Sequence, residues 1–215
     1  MTTRFALGAA AAIFLVAGAA HAEDFQPKAK GTLMLNVRLT DVAPDAGNSI
    51  KTAAGAATGL KADVTSSVMP TIGLSYFLTD NWAVEVIAGT TQHTVKAVSA
   101  AGSTAVKDTW VLPPVVAVQY HFAPKAKVSP YVGAGVNAMI FYGGKNRNGF
   151  DVHLNDGFGG AVQAGVDVAL QGRWSANIDV KKVFFNTHAK INNGALYSDV
   201  RLDPLVASVG VGYKF

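Results

Sequence analysis

The long polar segments of this chain contain histidines and serines, and such residues could supply the base and the nucleophile of a hydrolase. The histidines are His93, His153 and His188, and the serines are Ser99, Ser103 and Ser198. Hydrolysis by this route requires the two side chains to meet within hydrogen-bond reach. No catalytic spacing links these residues. We therefore interpret them as solvated loop residues and expect no catalytic residues and no enzymatic activity.

His121 and Asp167 form a second candidate acid–base pair, because both fall in segments with the alternating pattern of β-strands. Perturbed pairs of this kind occur at catalytic sites and also in structural ion-pair networks. We favour a structural polar contact in the interior of the protein. No cluster of residues has the spacing of a metal site, so we expect neither a metal nor another cofactor.

The segment "GGKNRNG" (Gly143 to Gly149) has the glycines of a phosphate-binding loop but lacks the flanking strand and helix. Its Lys145 and Arg147 could instead contact lipopolysaccharide phosphates, although Asp151 and Asp156 offset their charge.

Alternation of apolar and polar residues, the pattern of half-buried β-strands, recurs along the whole chain after residue 22. Apolar residues at helical spacing hardly occur there. The alternating segments are residues 30–40, 68–78, 82–89, 110–122, 130–142, 158–170, 174–181 and 205–215. The sequence therefore predicts an all-β fold of eight strands.

The connections between these segments alternate in length. Those at Thr79 to Asn81, Ala123 to Ser129 and Gln171 to Arg173 are short, whereas the others are long and polar. Tight turns at one end and long loops at the other indicate an antiparallel up-and-down barrel. The first long loop, Asp41 to Thr65, is rich in Gly, Ala and Thr, and we expect it to be partly mobile.

Residues 1–22 have the features of a secretory signal peptide. Arg4 precedes an apolar run from Phe5 to Ala19, and the segment ends on Ala-His-Ala. An uncleaved anchor is the alternative, but the run is short for a membrane span. We predict cleavage before Glu23 and a single exported domain, residues 23–215. The chain has no cysteine, which argues against a disulfide scaffold, and its scattered net charge of +4 argues against nucleic-acid binding.

An eight-stranded barrel could be a soluble carrier with its apolar face inside or an outer-membrane barrel with that face outside. The apolar face is almost free of charge, while the opposite face carries Glu85, Asp167 and Asp179. Aromatic residues of the apolar face mark the tight-turn ends, as in an interfacial girdle. This girdle comprises Tyr76, Trp82, Phe122, Trp174, Tyr213 and Phe215. Both features favour a transmembrane β-barrel with short periplasmic turns and long extracellular loops.

Several motifs resemble the outer membrane protein W (OmpW) family of eight-stranded Gram-negative barrels. They are "LPPVVAVQYHF" (Leu112 to Phe122), "PYVGAGVN" (Pro130 to Asn137), "QAGVDV" (Gln163 to Val168), "VRLDPLVASVGVGYKF" (Val200 to Phe215) and the "TDNWAVEV" hairpin. The ending "VGVGYKF" also resembles the carboxy-terminal signal through which such barrels meet the barrel-assembly machinery. The resemblance implies a location in the outer membrane, among its lipids and lipopolysaccharide. It also implies a narrow apolar conduit for small hydrophobic molecules, which leave sideways into the bilayer.

Strand direction gives each inward residue a height in the barrel. Polar residues near the tight-turn end predict a plug of paired charges: Glu85, Gln119, His121, Gln163, Asp167, Asn177, Asp179 and Lys214. Apolar residues near the loop end predict an apolar vestibule above the plug: Met69, Val115, Met139, Phe141 and Val183. Arg38 and Thr40 do not fit this division, and we assign them to the rim. The alternative is a narrow barrel that simply fills its interior with side chains.

Pro113 and Pro114 interrupt the fourth predicted strand near the outer boundary of the bilayer. Their missing N–H groups would remove ladder bonds toward both neighbouring strands. Together with the family resemblance, this predicts a lateral exit beside the third and fourth strands; the alternative is that the prolines only end the strand pairing. A second function also stays open. The protein would then be a surface binding or envelope-integrity protein whose loops contact lipopolysaccharide or external ligands, without transport.

Overall fold

The computed structural model describes residues 25–215, which form β-strands joined by turns and irregular segments. The predicted signal peptide, residues 1–22, and the predicted cleavage site before Glu23 lie outside the described residues. Within residues 25–215, no helix is long and apolar enough to cross a membrane.

In chain order the strands are β1 (Leu33–Ala43), β2 (Ser49–Thr52), β3 (Ala57–Val64), β4 (Ser67–Phe77), β5 (Trp82–Gly89), β6 (Thr91–Ser99), β7 (Gly102–Leu112), β8 (Val115–His121), β9 (Val128–Asn146), β10 (Val152–Leu154), β11 (Gly157–Ala169), β12 (Trp174–Phe184), β13 (Asn186–Ile191), β14 (Leu196–Arg201) and β15 (Leu205–Lys214).

Eight of these strands close a barrel, as the alternating pattern predicts. The antiparallel order is β1–β4–β5–β8–β9–β11–β12–β15, and β15 pairs back onto β1. Short turns join β4 to β5, β8 to β9 and β11 to β12 at one end, which we call the tight-turn end. Because the barrel closes, none of its eight strands has a free edge at this level.

The long connections differ from the prediction of polar loops. Most of their residues form strands that continue the barrel strands upward, including β2 and β3 within the segment expected to be a partly mobile loop. The upper strands pair in the order β10–β13–β14–β2–β3–β6–β7–β9. We call this second sheet the upper sheet. Valine and threonine alternate with polar residues along β6 and β7, a pattern that suits strands as well as loops.

The outer face of the barrel is apolar, and its inner face is largely polar. Outward side chains such as Ile72, Val116 and Val209 are about half exposed, whereas inward side chains of the same strands are buried. At the tight-turn end, the predicted girdle is exposed except for Tyr213, which is half-buried between Trp174 and Phe215. A second aromatic set at the other end was not predicted. It consists of Trp110, Tyr142, Phe158 and Phe184.

Inward glycines make room for large side chains in this narrow barrel. A Cβ at Gly165 would lie 2.4 Å from the ring of Tyr131, and a Cβ at Gly73 would lie 2.8 Å from Arg38 Nη1. Small residues on one strand thus match large residues on another, which allows the interior of an eight-stranded barrel to be filled.

Candidate functional site

The lower half of the barrel interior contains a dense group of polar side chains, which we call the lumen cluster. Its members include all eight residues predicted as the plug, and each of them is buried: Glu85, Gln119, His121, Gln163, Asp167, Asn177, Asp179 and Lys214. The even spacing of inward positions along each strand brings these residues to one region of the lumen. The structure adds Lys28, Arg38, Tyr131 and Lys181 to the cluster.

Glu85 occupies the centre of the lumen cluster. Its Oε1 accepts a hydrogen bond from Arg38 Nη2 over 2.7 Å, and its Oε2 accepts from Gln119 Nε2 over 2.7 Å and from Gln163 Nε2 over 3.1 Å. Charge-assisted hydrogen bonds of this kind are shorter and stronger than neutral ones. Lys181 Nζ also lies 3.9 Å from Oε2, so this fully buried carboxylate is compensated by two cations and two amides.

Arg38 and Thr40 lie inside the barrel, so their assignment to the rim was wrong. Arg38 Nε also donates to Asn177 Oδ1 over 2.6 Å, in addition to the ion pair with Glu85. The Thr40 hydroxyl lies 2.7 Å from that of Thr71 and 2.9 Å from that of Ser208. Their heights were misjudged because the strands continue beyond residue 40 into what the sequence indicated as a loop.

Asp179 anchors the other side of the cluster. It accepts a hydrogen bond from the Tyr131 hydroxyl over 2.8 Å and forms an ion pair with Lys181. Asn177 Nδ2 links the two halves of the cluster, since it donates to Asp167 Oδ1 over 2.7 Å. Each carboxylate of the cluster therefore has both a cationic partner and a neutral donor.

The segment before β1 crosses the tight-turn end of the barrel and inserts Lys28 into it. Lys28 Nζ lies 2.5 Å from Asp167 Oδ2, 3.0 Å from Ser129 Oγ and 3.1 Å from His121 Nδ1. His121 and Asp167 are 4.0 Å apart, so Lys28 bridges the predicted pair. Burial is the main influence on Lys28 and lowers the pKa of its ammonium group, while Asp167 opposes that shift. No sequence pattern indicated this contact, because residue 28 precedes the first alternating segment.

Backbone hydrogen bonds hold this segment, Phe25 to Thr32, against the tight turns. Gln26 N donates to Gly172 O over 2.8 Å, and Lys28 N donates to Pro124 O over 3.0 Å. Lys30 N donates to the Asp80 carboxylate over 3.0 Å. This bond is the main reason why the pKa of Asp80 is lowered, and Lys125 adds to the effect.

An apolar cavity of about 1280 Å³, including its part open to solvent, lies above the lumen cluster. All five residues predicted for the vestibule line it: Met69, Val115, Met139, Phe141 and Val183. Phe141 is half-buried, and its ring centroid lies 6.3 Å from that of Phe185. Upper-strand residues such as Ile50, Val152 and Ile191 extend the same lining. The interior is thus polar below and apolar above. The larger open volume lies in the apolar part, and a smaller pocket of about 210 Å³ lies at the tight-turn end beside Lys28, Asp167 and Lys214.

Pro113 and Pro114 lie between β7 and β8, where the wall changes from barrel to upper sheet. Toward β5 and β6, the pairs Ile87–Val115 and Thr91–Val111 flank an unpaired stretch, residues 88–90 against 112–114. The register is the same on both sides of this stretch. Toward β9, Ala138 N and Asn137 Nδ2 both donate to Pro114 O over 3.0 Å. The wall is therefore interrupted on the β5 side of the prolines and bonded on the β9 side.

The upper sheet has a second interruption, between β9 and β10. No backbone ladder joins these two strands within residues 25–215. Side chains bridge the gap instead: Phe141 N donates to Asp156 Oδ1 over 2.7 Å, and Asn146 Nδ2 donates to Asp151 Oδ1 over 2.6 Å.

The loop histidines contact no serine side chain among the described residues. His93 is buried beside Thr65 and Thr91, whereas His153 and His188 are exposed next to Asp151 and Asp199. The three candidate serines bond backbone atoms or remain free of histidine contacts. Within residues 25–215, no group of His, Cys, Asp or Glu side chains could hold a metal ion.

Of the two basic residues considered for lipopolysaccharide contact, Arg147 is paired within the protein. Its guanidinium group donates to Asp108 Oδ2, which lowers the pKa of that carboxyl group. Lys145 is exposed on the upper part of β9.

Known proteins agree with this architecture. The sequence pattern of the OmpW family matches residues 29–215. An uncharacterized outer-membrane protein, y4mB of Sinorhizobium fredii, is 35% identical and covers 98% of this chain and 92% of its own. Outer membrane protein W of Escherichia coli is 33% identical over 71% of this chain and 75% of its own.

The solved structure of the outer membrane protein OprG from Pseudomonas aeruginosa superimposes with a TM-score of 0.83. It is 29% identical in sequence, and the match covers 89% of this chain and 99% of that one. Outer-membrane barrels have short turns on the periplasmic side and long connections on the extracellular side, which assigns the tight-turn end to the periplasm and the upper sheet to the outside of the cell. The chain belongs to the OmpW family and is a β-barrel of the Gram-negative outer membrane.

Proposed function

We propose that this barrel gives small hydrophobic molecules passive passage across the outer membrane. The observation that carries the proposal is the division of the lumen, because an open apolar cavity lies directly above the lumen cluster. Binding cavities for small molecules are typically lined by apolar side chains with a few placed polar groups. A barrel that only filled its interior with side chains would have no reason to keep this space.

In this proposal the lumen cluster acts as the plug. Its ion pairs Arg38–Glu85, Lys28–Asp167 and Lys181–Asp179 are buried and close together. An ion or an apolar molecule passing straight down would have to break these pairs and leave buried charges uncompensated, which is costly. Axial passage into the periplasm is therefore blocked, and a molecule in the cavity must leave through the wall.

We place the lateral exit beside Pro113 and Pro114, toward β5. The unpaired stretch there lies at the level of the cavity, and Pro113 lines the cavity. Outward residues around it, such as Val86 and Val116, are apolar and face the lipid. The proposal includes no catalytic step, since the loop histidines and serines are not assembled into a site.

Uptake by vesicles tests this function. Purified protein in phosphatidylcholine vesicles should speed the entry of a hydrophobic compound such as indole relative to protein-free vesicles. Met139→Glu with Phe141→Glu should abolish the acceleration, because two carboxylates in the cavity would repel apolar molecules. Ser103→Glu, at the exposed tip of the β6–β7 hairpin, is the matched control for added charge. Equal rates with and without wild-type protein would refute the conduit and favour the surface-binding alternative.

A further inference from the structure

Two residues that line the cavity, Asn137 and Arg38, each have a buried side-chain polar atom without a partner among the described residues. Asn137 is fully buried and lines the cavity, and its Oδ1 has no hydrogen-bond partner within residues 25–215. The side chain is held in one orientation, because its Nδ2 donates to Pro114 O over 3.0 Å. The free oxygen is therefore at a fixed place among apolar neighbours, which include Val115 and Met139.

The chemistry of this atom restricts what it can bind. An amide oxygen only accepts hydrogen bonds, and one of the two N–H donors of the same residue is used by Pro114 O. A ligand that contacts Asn137 Oδ1 must therefore present a hydroxyl or an N–H group. A buried acceptor without a partner is unfavourable, so a ligand that supplies a donor is preferred over one that does not.

Other polar groups near the cavity are less suited to select a ligand. The hydroxyls of Thr40, Thr71 and Ser208 bond one another at 2.7 Å and 2.9 Å. Arg38 Nη1 also lacks a partner among the described residues, but it lies within the lumen cluster. It packs against Gly73, where the Cβ of a larger residue would be only 2.8 Å from this nitrogen. Of the two unsatisfied atoms in the cavity lining, Asn137 Oδ1 is thus the acceptor, whereas Arg38 Nη1 is a donor that belongs to the lumen cluster.

We propose that Asn137 is a specificity-determining residue, and that the preferred ligands are small apolar molecules with one hydrogen-bond donor. Phenols, alcohols and indole-type N–H compounds belong to this class, whereas pure hydrocarbons do not. The proposal rests on the proposed conduit, since it names the class of molecule that the same cavity accepts. One hydrogen bond to an otherwise unsatisfied acceptor should favour the donor compound roughly 2- to 10-fold.

Indole and 1-methylindole form a matched pair of probes, because they differ only in the N–H group. Their apparent affinities can be measured by NMR from the methyl signals of Val115 and Met139 in protein embedded in phosphatidylcholine nanodiscs. In the wild type, indole and not 1-methylindole should shift the side-chain carbonyl carbon of Asn137. Equal shifts, or no shift with either compound, would overturn the proposal without any mutation.

Two variants extend the measurement to selectivity. Asn137→Leu should lower the ratio of indole affinity to 1-methylindole affinity by roughly 2- to 10-fold. Met139→Leu changes the neighbouring wall without touching the acceptor, so it should alter both affinities by the same factor and keep the wild-type ratio. An unchanged ratio in Asn137→Leu would contradict the proposed role.

Vesicle uptake with the same two compounds separates this proposal from the conduit. One outcome is that the wild type speeds the entry of both compounds while the ratio of the indole entry rate to the 1-methylindole entry rate is the same in Asn137→Leu as in the wild type. In that case the conduit stands and the role of Asn137 is refuted. If the NMR preference is present but neither compound enters faster than in protein-free vesicles, the conduit fails and Asn137 remains a binding residue of a closed cavity.

Discussion

Lys28 Nζ lies 2.5 Å from Asp167 Oδ2, so a residue before the first strand neutralises a carboxylate of β11. Both side chains are almost completely buried at the periplasmic end of the lumen. The contact ties the N-terminal segment to β11 across the mouth of the barrel. It also makes the charge balance of the lumen depend on a segment that is not part of the barrel wall.

Lys28→Met should destabilise the barrel strongly, because it leaves Asp167 buried without its cation. Removal of one partner from a buried pair typically costs about 3–5 kcal/mol of unfolding free energy. Adding Asp167→Asn should recover most of the loss, since neither charge then remains. Urea unfolding in vesicles, followed by tryptophan fluorescence, measures both effects. Lys30→Met, on the same segment but exposed, is the control, and equal stability of the two lysine variants would contradict the prediction.

Gly165→Ala should destabilise the barrel by about 1–3 kcal/mol through overpacking. The new Cβ would lie 2.4 Å from the Tyr131 ring and 2.7 Å from Ile178 O, and the Tyr131 hydroxyl is held by Asp179. Gly160→Ala in the same strand is the control, because nothing lies within 4 Å of its added Cβ. The same urea titration should therefore separate the two variants, and similar midpoints would refute the packing argument.

The sequence allowed the barrel and much of its interior to be predicted, because strand periodicity alone assigns each residue to the lipid face or the lumen. That is why the residues Glu85, Asp167 and Asp179 could be placed in the lumen before their partners were known. Partners depend on register and strand tilt, which alternation does not reveal, so the contact between Arg38 and Glu85 was missed. The upper sheet was missed for another reason: the polar composition of its strands is equally typical of loops.

Stability of the β3–β6 junction should decrease as the pH falls below 6.5. His93 Nδ1 donates to Thr65 O over 2.6 Å, and burial lowers the pKa of the imidazole below its ordinary value of 6.5. The unfolded segment therefore binds a proton at a higher pH than the folded one. The stabilisation is fully present above pH 6.5 and is lost as the pH falls toward the lowered folded pKa.

Hydrogen exchange provides the measurement for this junction. The amide of Thr94, which donates to Thr65 Oγ1 over 2.9 Å, should lose protection between pH 7 and about pH 5 after correction for intrinsic exchange rates. His93→Asn removes the titrating group and should abolish the pH dependence. A pH dependence that persists in this variant would assign the effect to another residue.

Pro113→Ala with Pro114→Ala should slow hydrophobic uptake without unfolding the barrel. Alanine restores two N–H groups, and one of them faces β5 because successive N–H groups point to opposite neighbours. This group lies in the unpaired stretch between residues 88–90 and 112–114, where the register on both sides already permits a continuous ladder. Pro204→Ala is the control, because Pro204 also lines the cavity. The backbone there is already bonded to the neighbouring strand, since Val183 N donates to Pro204 O over 3.1 Å. Vesicle entry of indole should fall in the double variant and not in the control. Uptake at the wild-type rate in the double variant would mean that the prolines only mark the change from barrel to upper sheet. The interruption between β9 and β10 would then become the stronger candidate for the exit.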